Sequence, residues 1–378
     1  MGVLTRTPLV DLPAQYHTMR TEIDHALAEV VQSQRFVLGP AVEAFEEAVA
    51  ERVGVRHAVG CANGTDAIWL VLRALGLGRS DEVIVPAFTF FGTAGAIWNA
   101  GLRPVFCDVD PDTFNLDADT VRACWSDRTR VVLPVHLFGQ MAPMAELLEL
   151  ARERGARVVE DAAQALGAWQ RMRGGEIAFA GASGTAGTVS FFPTKNLGGF
   201  GDGGMIVTDD DALARRLRTL RVHGGMGDGR HDEVGVNSRL DSLQAAVLHA
   251  KLPRLTGWTE VRRRNAAIYD EMLDGVSGVL RPRVRSGNFH TYHQYTIRAR
   301  RRDRLRGHLR RRGLETGLYY PRPLHLQPCF AQLGYRPGDL PVAEAACREV
   351  VSLPVFPELG AERAARVARA IRDFYRVG

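Results

Sequence analysis

Short apolar runs alternate with amphipathic stretches between about residues 55 and 210. This alternation is typical of a largely parallel sheet whose strands are joined by crossover helices. The runs predicted as strands are HAVGCA (57–62), EVIVPA (82–87), RPVFCDV (103–109), RVVLPVH (130–136), RVVEDA (157–162), TVSFF (188–192) and GMIVTD (204–209). Between them, residues 66–77 and 144–155 place their apolar side chains on one helical face, and Gly155 suits the end of the second helix.

The pattern changes after Asn237. Residues 238–273 have the periodicity of a long helix that is interrupted at Pro253. We therefore expect an α/β protein with a large domain over residues 1–253 and a smaller α+β domain over residues 254–378. In the smaller domain, 290–299 has the composition of a strand and 361–375 that of a closing amphipathic helix.

Composition indicates a globular protein that stays in the cytoplasm. Of the 378 residues, 46% are hydrophobic and 24% charged, and no apolar run approaches the ~20 residues that span a bilayer. The N-terminal residues do not resemble a signal peptide. The cysteines are scattered, without the close pairs of a zinc or redox motif. We expect no metal site and no membrane association.

The formal net charge of +5 raises the question of an anionic partner. Most arginines alternate with acids, so we expect no nucleic-acid partner. The exception is RARRRDRLRGHLRRR (298–312), which is either a solvated helix face or a basic surface that attracts phosphorylated substrates.

Lysine is almost absent from this chain. Of the 48 basic residues counted as Lys plus Arg, only those at 195 and 251 are lysine. An arginine bias could leave two lysines by chance. However, a desolvated lysine amine can form a Schiff base with a carbonyl, and arginine cannot. Lys195 lies in SFFPTKNLGGFGDGG (190–204), close to the end of a predicted strand.

Two other strand ends carry groups that suit a phosphorylated ligand. ANGTDA (62–67) begins a predicted helix, so Gly64 and Thr65 can offer backbone N–H groups and a hydroxyl to a phosphate. An ordinary strand-to-helix turn is the alternative. Asp161 ends another strand, where a carboxylate can hold a proton on a ring nitrogen or simply cap a helix.

Ser190 and a group of phenylalanines complete the pattern. Ser190 adds a hydroxyl at the end of the strand before Lys195. Of Phe88, Phe90 and Phe91, one could cover a flat aromatic cofactor, and core packing explains the others. Together these residues offer a phosphate cradle, an aromatic face, a carboxylate and an amine, which are the groups that bind pyridoxal 5′-phosphate (PLP).

The sequence resembles the nucleotide-sugar aminotransferases related to DegT and StrS, which are PLP enzymes of the aspartate-aminotransferase fold type I. The resemblance runs over nearly the whole chain, through RFVLGPAVEAFE (35–46), NGTDA (63–67), EDAAQALGA (160–168), SFFPTKNLGGFGDGGMI (190–206), GVNSRLDSLQAA (235–246) and YYPRPLHLQP (319–328). It implies a homodimer with shared active sites, and L-glutamate as the amino donor. It also implies lysine-dependent transamination, because relatives with histidine at the position of Lys195 are dehydratases.

The resemblance assigns roles to individual residues. Lys195 would be the Schiff-base lysine, Asp161 would pair with the pyridinium nitrogen, and Gln164 would bond the ring hydroxyl. The implied phosphate ligands are Gly64, Thr65 and Ser190, with Phe90 over the ring and Asn237, together with Arg239, reaching the phosphate from the partner subunit. The candidate substrate contacts are Arg239, His223, His293, Tyr320 and His325.

Several alternatives stay open. The segment 223–233 could suggest a metal site, but its glycines favour a mobile loop at the site entrance. The histidines in 290–293 and 324–327 could contact the sugar or its diphosphate, or serve only structure. Motif resemblance favours a 3-keto over a 4-keto nucleotide sugar. Cyclitol (inosose) aminotransferases, aminohydroxybenzoate synthases and a non-catalytic regulatory homologue are the alternatives.

Overall fold

The computed structural model describes residues 6–225 and 229–376. Its α-helices are α1 (Leu12–Thr18), α2 (Arg20–Ser33), α3 (Pro40–Val53), α4 (Gly64–Ala74), α5 (Phe91–Asn99), α6 (Ala118–Ala123), α7 (Met144–Glu153), α8 (Asp211–Leu220), α9 (Ser242–Lys251), α10 (Leu255–Met272), α11 (Arg302–Arg311), α12 (Pro341–Glu349) and α13 (Gly360–Arg376). Its strands are β1 (His57–Cys61), β2 (Glu82–Pro86), β3 (Arg103–Cys107), β4 (Thr129–Val132), β5 (Arg157–Asp161), β6 (Trp169–Arg171), β7 (Ile177–Phe179), β8 (Ala186–Ser190), β9 (Gly204–Thr208), β10 (Val279–Leu280), β11 (Asn288–Phe289), β12 (Tyr295–Ala299) and β13 (Val350–Leu353).

A seven-stranded sheet forms the centre of the large domain, in the order β1-β9-β8-β5-β4-β2-β3. Strand β9 runs antiparallel to both of its neighbours, and the remaining strand pairs are parallel. The prediction of a mostly parallel α/β sheet is thus confirmed. Each of the seven predicted runs overlaps one of these strands, although β4 and β8 begin before the runs predicted for them.

Helices cover both faces of this sheet, which explains why its strands are continuously apolar. In β2, Val83 and Val85 pack into the core that contains residues of α4, α5 and α8. The intervening Ile84 packs into the core that contains residues of α3, α7 and α9. Alternate side chains of the strand therefore pack into two separate cores, one on each face of the sheet. The carboxyl ends of the parallel strands lie along one edge of the sheet.

The smaller domain is built on the antiparallel sheet β10-β12-β13. Its core includes Tyr269, Tyr295, Leu309 and Ile371, from α10, β12, α11 and α13. The predicted helix break at Pro253 is a single 3-10 turn between α9 and α10. The domain boundary near 253 remains a prediction.

Two segments cross that boundary in space. Thr7 forms a parallel bridge with Leu314. Strand β11 pairs with β6 of the large domain. The strand predicted over 290–299 is too long, because β12 covers only Tyr295–Ala299 and Tyr292 has a φ of 46°. The histidines of 290–293 therefore lie in a connection between the domains.

The arginine-rich run 298–312 forms the end of β12 and helix α11. Leu305 and Leu309 of α11 are buried, whereas Arg304 and Arg310 are exposed. This arrangement fits the solvated helix face. Within the described residues, no helix is both long and apolar enough to cross a membrane.

Candidate active site

Two neighbouring strand ends position the central groups. β5 ends at Asp161 and β8 ends at Ser190, and the two strands pair side by side. The chain then turns, because the Lys195 N–H donates to the Phe192 carbonyl at 2.8 Å and the Gly199 N–H donates to the Phe191 carbonyl at 2.8 Å. The sheet thus fixes a carboxylate and a hydroxyl, and a hydrogen-bonded turn places the amine beside them.

The Lys195 amine is suited to react as a nucleophile. Its side chain is partly buried, and its Nζ makes no hydrogen bond or ion pair with a described residue. Burial lowers the pKa of Lys195 to about 8, although the Asp161 charge acts to raise it. A larger fraction of this amine is therefore neutral at physiological pH than for an exposed lysine.

Asp161 is buried and held in a fixed orientation. Its Oδ2 accepts a hydrogen bond from the Thr93 hydroxyl at 2.9 Å, and its Oδ1 accepts one from the Ala163 N–H at 3.1 Å. Burial raises the pKa of Asp161, while these bonds and the Lys195 charge act to lower it. The residues after Asp161 form turns and no helix, so the helix-cap interpretation is wrong.

Gln164 joins the large domain to a loop of the small one. Its Oε1 accepts from the Phe138 N–H at 2.8 Å, and its Nε2 donates to the Tyr320 hydroxyl at 3.0 Å. Burial raises the pKa of Tyr320. Gln164 and the candidate substrate residue Tyr320 therefore meet at the site.

The start of α4 has the geometry of an anion cradle. A Cβ placed on Gly64 would lie 2.8 Å from the Ser190 Cβ, so a side chain at 64 would collide with the end of β8. The Asn63 side chain accepts from the Asp66 N–H at 2.8 Å, which satisfies one of the free donors of the first turn. Gly64 and Thr65 have no helical carbonyl to bond, so their N–H groups remain for a ligand.

Core packing explains only one of the three phenylalanines, fewer than expected, because Phe91 is 45% exposed. Phe88 is buried and packs with Phe114 and Phe138. Phe91 stacks on Phe330 at 5.8 Å. Phe90 is 55% exposed, and its ring lies 6.2 Å from that of Tyr320. Phe90 is thus the one available to cover a flat ring.

The other candidate histidines lie in different surroundings. His293 is buried and its Nδ1 is 3.2 Å from the Asn196 Oδ1. His325 is also buried and its Nε2 is 3.3 Å from the Glu344 Oε1. His223 is exposed, with a φ of 67°. Residues 226–228 of the predicted 223–233 loop lie outside the described residues, and the described part of the chain has no cluster of three potential metal-ligating side chains.

Asn237 and Arg239 lie on either side of Ser238, which contacts the start of α4. Ser238, between them, donates its hydroxyl hydrogen to Asp66 Oδ2 at 2.8 Å and accepts from the Ala62 N–H at 3.2 Å. Asn237 is exposed and Arg239 is partly exposed. The segment therefore runs beside the anion cradle, with the Asn237 side chain at the surface.

Sequence reasoning missed three supporting residues. Thr93 gave no signal, because its contact with Asp161 spans 68 positions. The Nδ1 of His136 accepts a hydrogen bond from the Ala142 N–H, so its Nε2–H donates to the Glu160 carboxylate at 2.7 Å. Glu160 is the residue directly before Asp161 in β5.

The third missed residue is the other lysine, Lys251. Its buried amine donates to the Gly198 carbonyl at 2.8 Å and lies 4.8 Å from the centre of the Phe200 ring. The rarity of lysine was a signal for Lys251 as well as for Lys195. The second lysine thus supports the turn that carries the first.

Comparison with known proteins identifies the family. Residues 17–372 match the DegT/DnrJ/EryC1/StrS aminotransferase family. A Geobacillus stearothermophilus protein named pleiotropic regulatory protein is 50% identical over 371 residues, covering 98% of both chains. An Acidithiobacillus ferrooxidans UDP-N-acetyl-3-dehydro-alpha-D-glucosamine 3-aminotransferase is 44% identical, covering 97% of this chain and 98% of the relative. The crystal structure of S. venezuelae DesV in complex with a ketimine intermediate matches with a TM-score of 0.95 and 43% identity, covering 98% of both chains.

The site fits the cofactor of this family. A free amine of lowered pKa suits the PLP aldehyde, and a buried carboxylate suits its ring nitrogen. A cradle that a single Cβ at Gly64 would obstruct suits its phosphate. The chain belongs to the DegT/DnrJ/EryC1/StrS family and is a PLP-dependent aminotransferase.

Proposed function

We propose that this aminotransferase moves an amino group from L-glutamate to a keto sugar carried on a nucleotide, with a 3-keto sugar favoured over a 4-keto sugar. The observation that carries the proposal is the A. ferrooxidans relative, whose name specifies amination at C3 of a UDP-linked sugar. Its 44% identity extends over nearly the full length of both chains. The product would serve amino-sugar or deoxysugar biosynthesis, in antibiotics or polysaccharides.

The residues of the site divide the work. PLP supplies an aldehyde that holds the amino group and a ring that takes up electrons when the substrate C–H bond breaks. Lys195 would hold the cofactor through its amine and would move the proton released from the substrate carbon. Asp161, fixed by Thr93, keeps a proton on the ring nitrogen. Phe90 covers the ring and excludes water.

The remaining cofactor contacts hold and orient the group. Gly64, Thr65 and Ser190 bind the phosphate where α4 and β8 meet. Gln164 would donate to the ring hydroxyl through the Nε2 hydrogen that is not used in its bond to Tyr320.

The homodimer and the cytoplasmic location belong to the same proposal. Phe192 and Phe200 are 49% and 47% exposed on either side of the Lys195 turn, as expected for a surface that a second subunit covers. The exposed Asn237, with Arg239, would reach the phosphate in the partner's site. Scattered cysteines support a reducing compartment.

An inosose or an aminohydroxybenzoate-type precursor remains the alternative substrate, since relatives that use these compounds retain the same cofactor motifs. The Geobacillus relative's name raises the regulatory alternative. The reactive geometry of Lys195 and Asp161 argues against a protein without turnover.

A substrate panel tests the proposal directly. The enzyme is converted with L-glutamate to its pyridoxamine phosphate form, and the return of the PLP absorbance is followed with 3-keto and 4-keto nucleotide sugars and with inososes. We expect the 3-keto nucleotide sugars to react fastest. Faster reaction with an inosose, or no reaction with any nucleotide sugar, would contradict the assignment.

The pH dependence of cofactor attachment tests the environment of Lys195. Because the pKa of Lys195 is lowered to about 8, the fraction of neutral amine rises about tenfold per pH unit below pH 8 and levels off above it. We expect the rate at which apoenzyme binds PLP covalently to follow this curve, as measured by stopped-flow absorbance. A rate that continues to rise toward the ordinary lysine pKa of 10.5 would be evidence against a desolvated Lys195.

A further inference from the structure

A small cavity lies beside the turn that carries Lys195, between the two domains. One part of its wall is apolar and another is polar, and its volume is about 50 Å³. A water needs roughly 10–15 Å³ on this measure, so the cavity has room for a few waters or for one small polar group with an adjoining methylene. It is far too small for a nucleotide sugar. The lining residues used below are Thr194, Arg262 and His293, with Val355 and Phe356 on the apolar side.

Arg262 brings a positive charge into this cavity without a partner of opposite charge. Its side chain is 5% exposed. Its Nη1 makes only long contacts, at 3.4 and 3.5 Å, with the carbonyls of Tyr292 and His293. Its Nε is buried without a hydrogen-bond partner.

No acid among the described residues forms an ion pair with this guanidinium. Burial lowers the pKa of Arg262 to about 10, although the Glu358 charge acts to raise it. A buried, unpaired guanidinium is costly, and an anion that enters the cavity would recover the lost interactions.

The cavity is adjacent to the reaction centre. Thr194 precedes Lys195 in the chain and lines the cavity. His293, also in the wall, contacts Asn196, which follows Lys195. Burial lowers the pKa of His293 and the Lys195 charge lowers it further, so the cavity lies within electrostatic reach of the reactive amine.

We propose that Arg262 binds a carboxylate of the amino donor in this cavity. A guanidinium matches a carboxylate in charge and geometry, and the apolar wall at Val355 and Phe356 suits the donor's methylene groups. The inference rests on the proposed use of L-glutamate. It assigns the donor carboxylate and the keto sugar to different residues, so the two half-reactions depend on Arg262 to different extents.

The experiment compares both half-reactions in the holoenzyme. Arg262→Met removes the charge and Arg262→Lys retains it. Arg263→Met is the matched control, because Arg263 is on the same helix and donates to a carbonyl of the same connection, His290, but does not line the cavity. We expect Arg262→Met to lower the affinity for L-glutamate about 10- to 100-fold, which is the effect of losing a hydrogen bond to a charged group. The lysine variant should recover part of this loss.

The keto-sugar half-reaction separates donor binding from general damage. We expect the rate of the keto-sugar half-reaction to change less than about threefold in Arg262→Met. In Arg263→Met, the rates of both half-reactions should stay near those of the wild type. Equal losses in the two half-reactions of Arg262→Met would overturn the proposal, and so would unchanged affinity for L-glutamate. A wild-type enzyme that reacts with L-glutamate but with no nucleotide sugar would refute the proposed acceptor and leave the donor site intact.

A second measurement does not depend on turnover or on the folding of the methionine variant. Glutarate, a dicarboxylate without an amine, should raise the melting temperature of the wild-type holoenzyme and should do so less in Arg262→Lys. No stabilisation of the wild type would overturn the proposal. An equal shift with chloride at the same concentration would also overturn it, because it would indicate an unselective anion site.

Discussion

Lys195→Ala should lower transamination by at least about 10³-fold and remove the visible absorbance of covalently bound PLP. The alanine has neither the amine that attaches the cofactor nor a base to move the substrate proton. No other described residue offers a replacement, since Lys251 is directed to the Gly198 carbonyl. The rates are measured with L-glutamate and the best keto sugar, together with an absorbance spectrum.

Lys195→Arg is the matched control for this variant. It retains the positive charge beside Asp161 but cannot attack an aldehyde. If the loss came only from the charge, the arginine variant would stay active. We expect it to be as inactive as the alanine variant. Ordinary transaminase rates in either would remove Lys195 from the mechanism.

Asp161→Asn should bind PLP with little change in affinity and lose about 10²-fold or more of its activity. The phosphate cradle and Lys195 remain, so attachment continues. The amide no longer holds a proton on the ring nitrogen, because it lacks the negative charge that stabilises the protonated ring. Cofactor affinity is measured by fluorescence titration, and activity by the half-reaction with L-glutamate.

Thr93→Val is the control that removes a hydrogen bond orienting Asp161 but leaves the charge of Asp161 in place. It removes only the hydroxyl that donates to Asp161 at 2.9 Å. We expect a loss clearly smaller than that of Asp161→Asn. A near-wild-type rate for Asp161→Asn would exclude Asp161 from catalysis, and equal losses in both variants would mean that orientation rather than charge is the main contribution.

The central sheet could be predicted because its strands bury both faces and therefore read as unbroken apolar runs. The short strands β6, β7 and β11 could not, since two or three residues carry no periodicity. The predicted strand over 290–299 was too long for a related reason. Its aromatic and β-branched residues have strand composition, but the first half forms the connection that contacts Asn196 and Arg262.

Some residues of the candidate site could likewise be predicted from the sequence, and others could not. Lys195 and Asp161 stood out because they end or follow strands and have a chemistry that few residues share. Arg262 could not stand out in a chain whose 48 basic residues are almost all arginine. Its distinguishing property is a buried guanidinium that forms no ion pair with a described acid, and only the packing of α10 against the 290–294 connection reveals it. Thr93 is similar, since its importance comes from a partner distant in sequence.

The contact between Lys251 and Gly198 links the reactive amine to the helical layer outside the sheet. α9 carries Lys251 and packs against α2 and α3. A displacement of this layer, for example by a substitution between α3 and α9, would therefore be transmitted to the turn through the Lys251 bond to Gly198, three positions from Lys195, and through the bond from the Phe200 N–H to Gln244 of α9. The position of the Lys195 turn thus depends on how helices α2, α3 and α9 pack against one another.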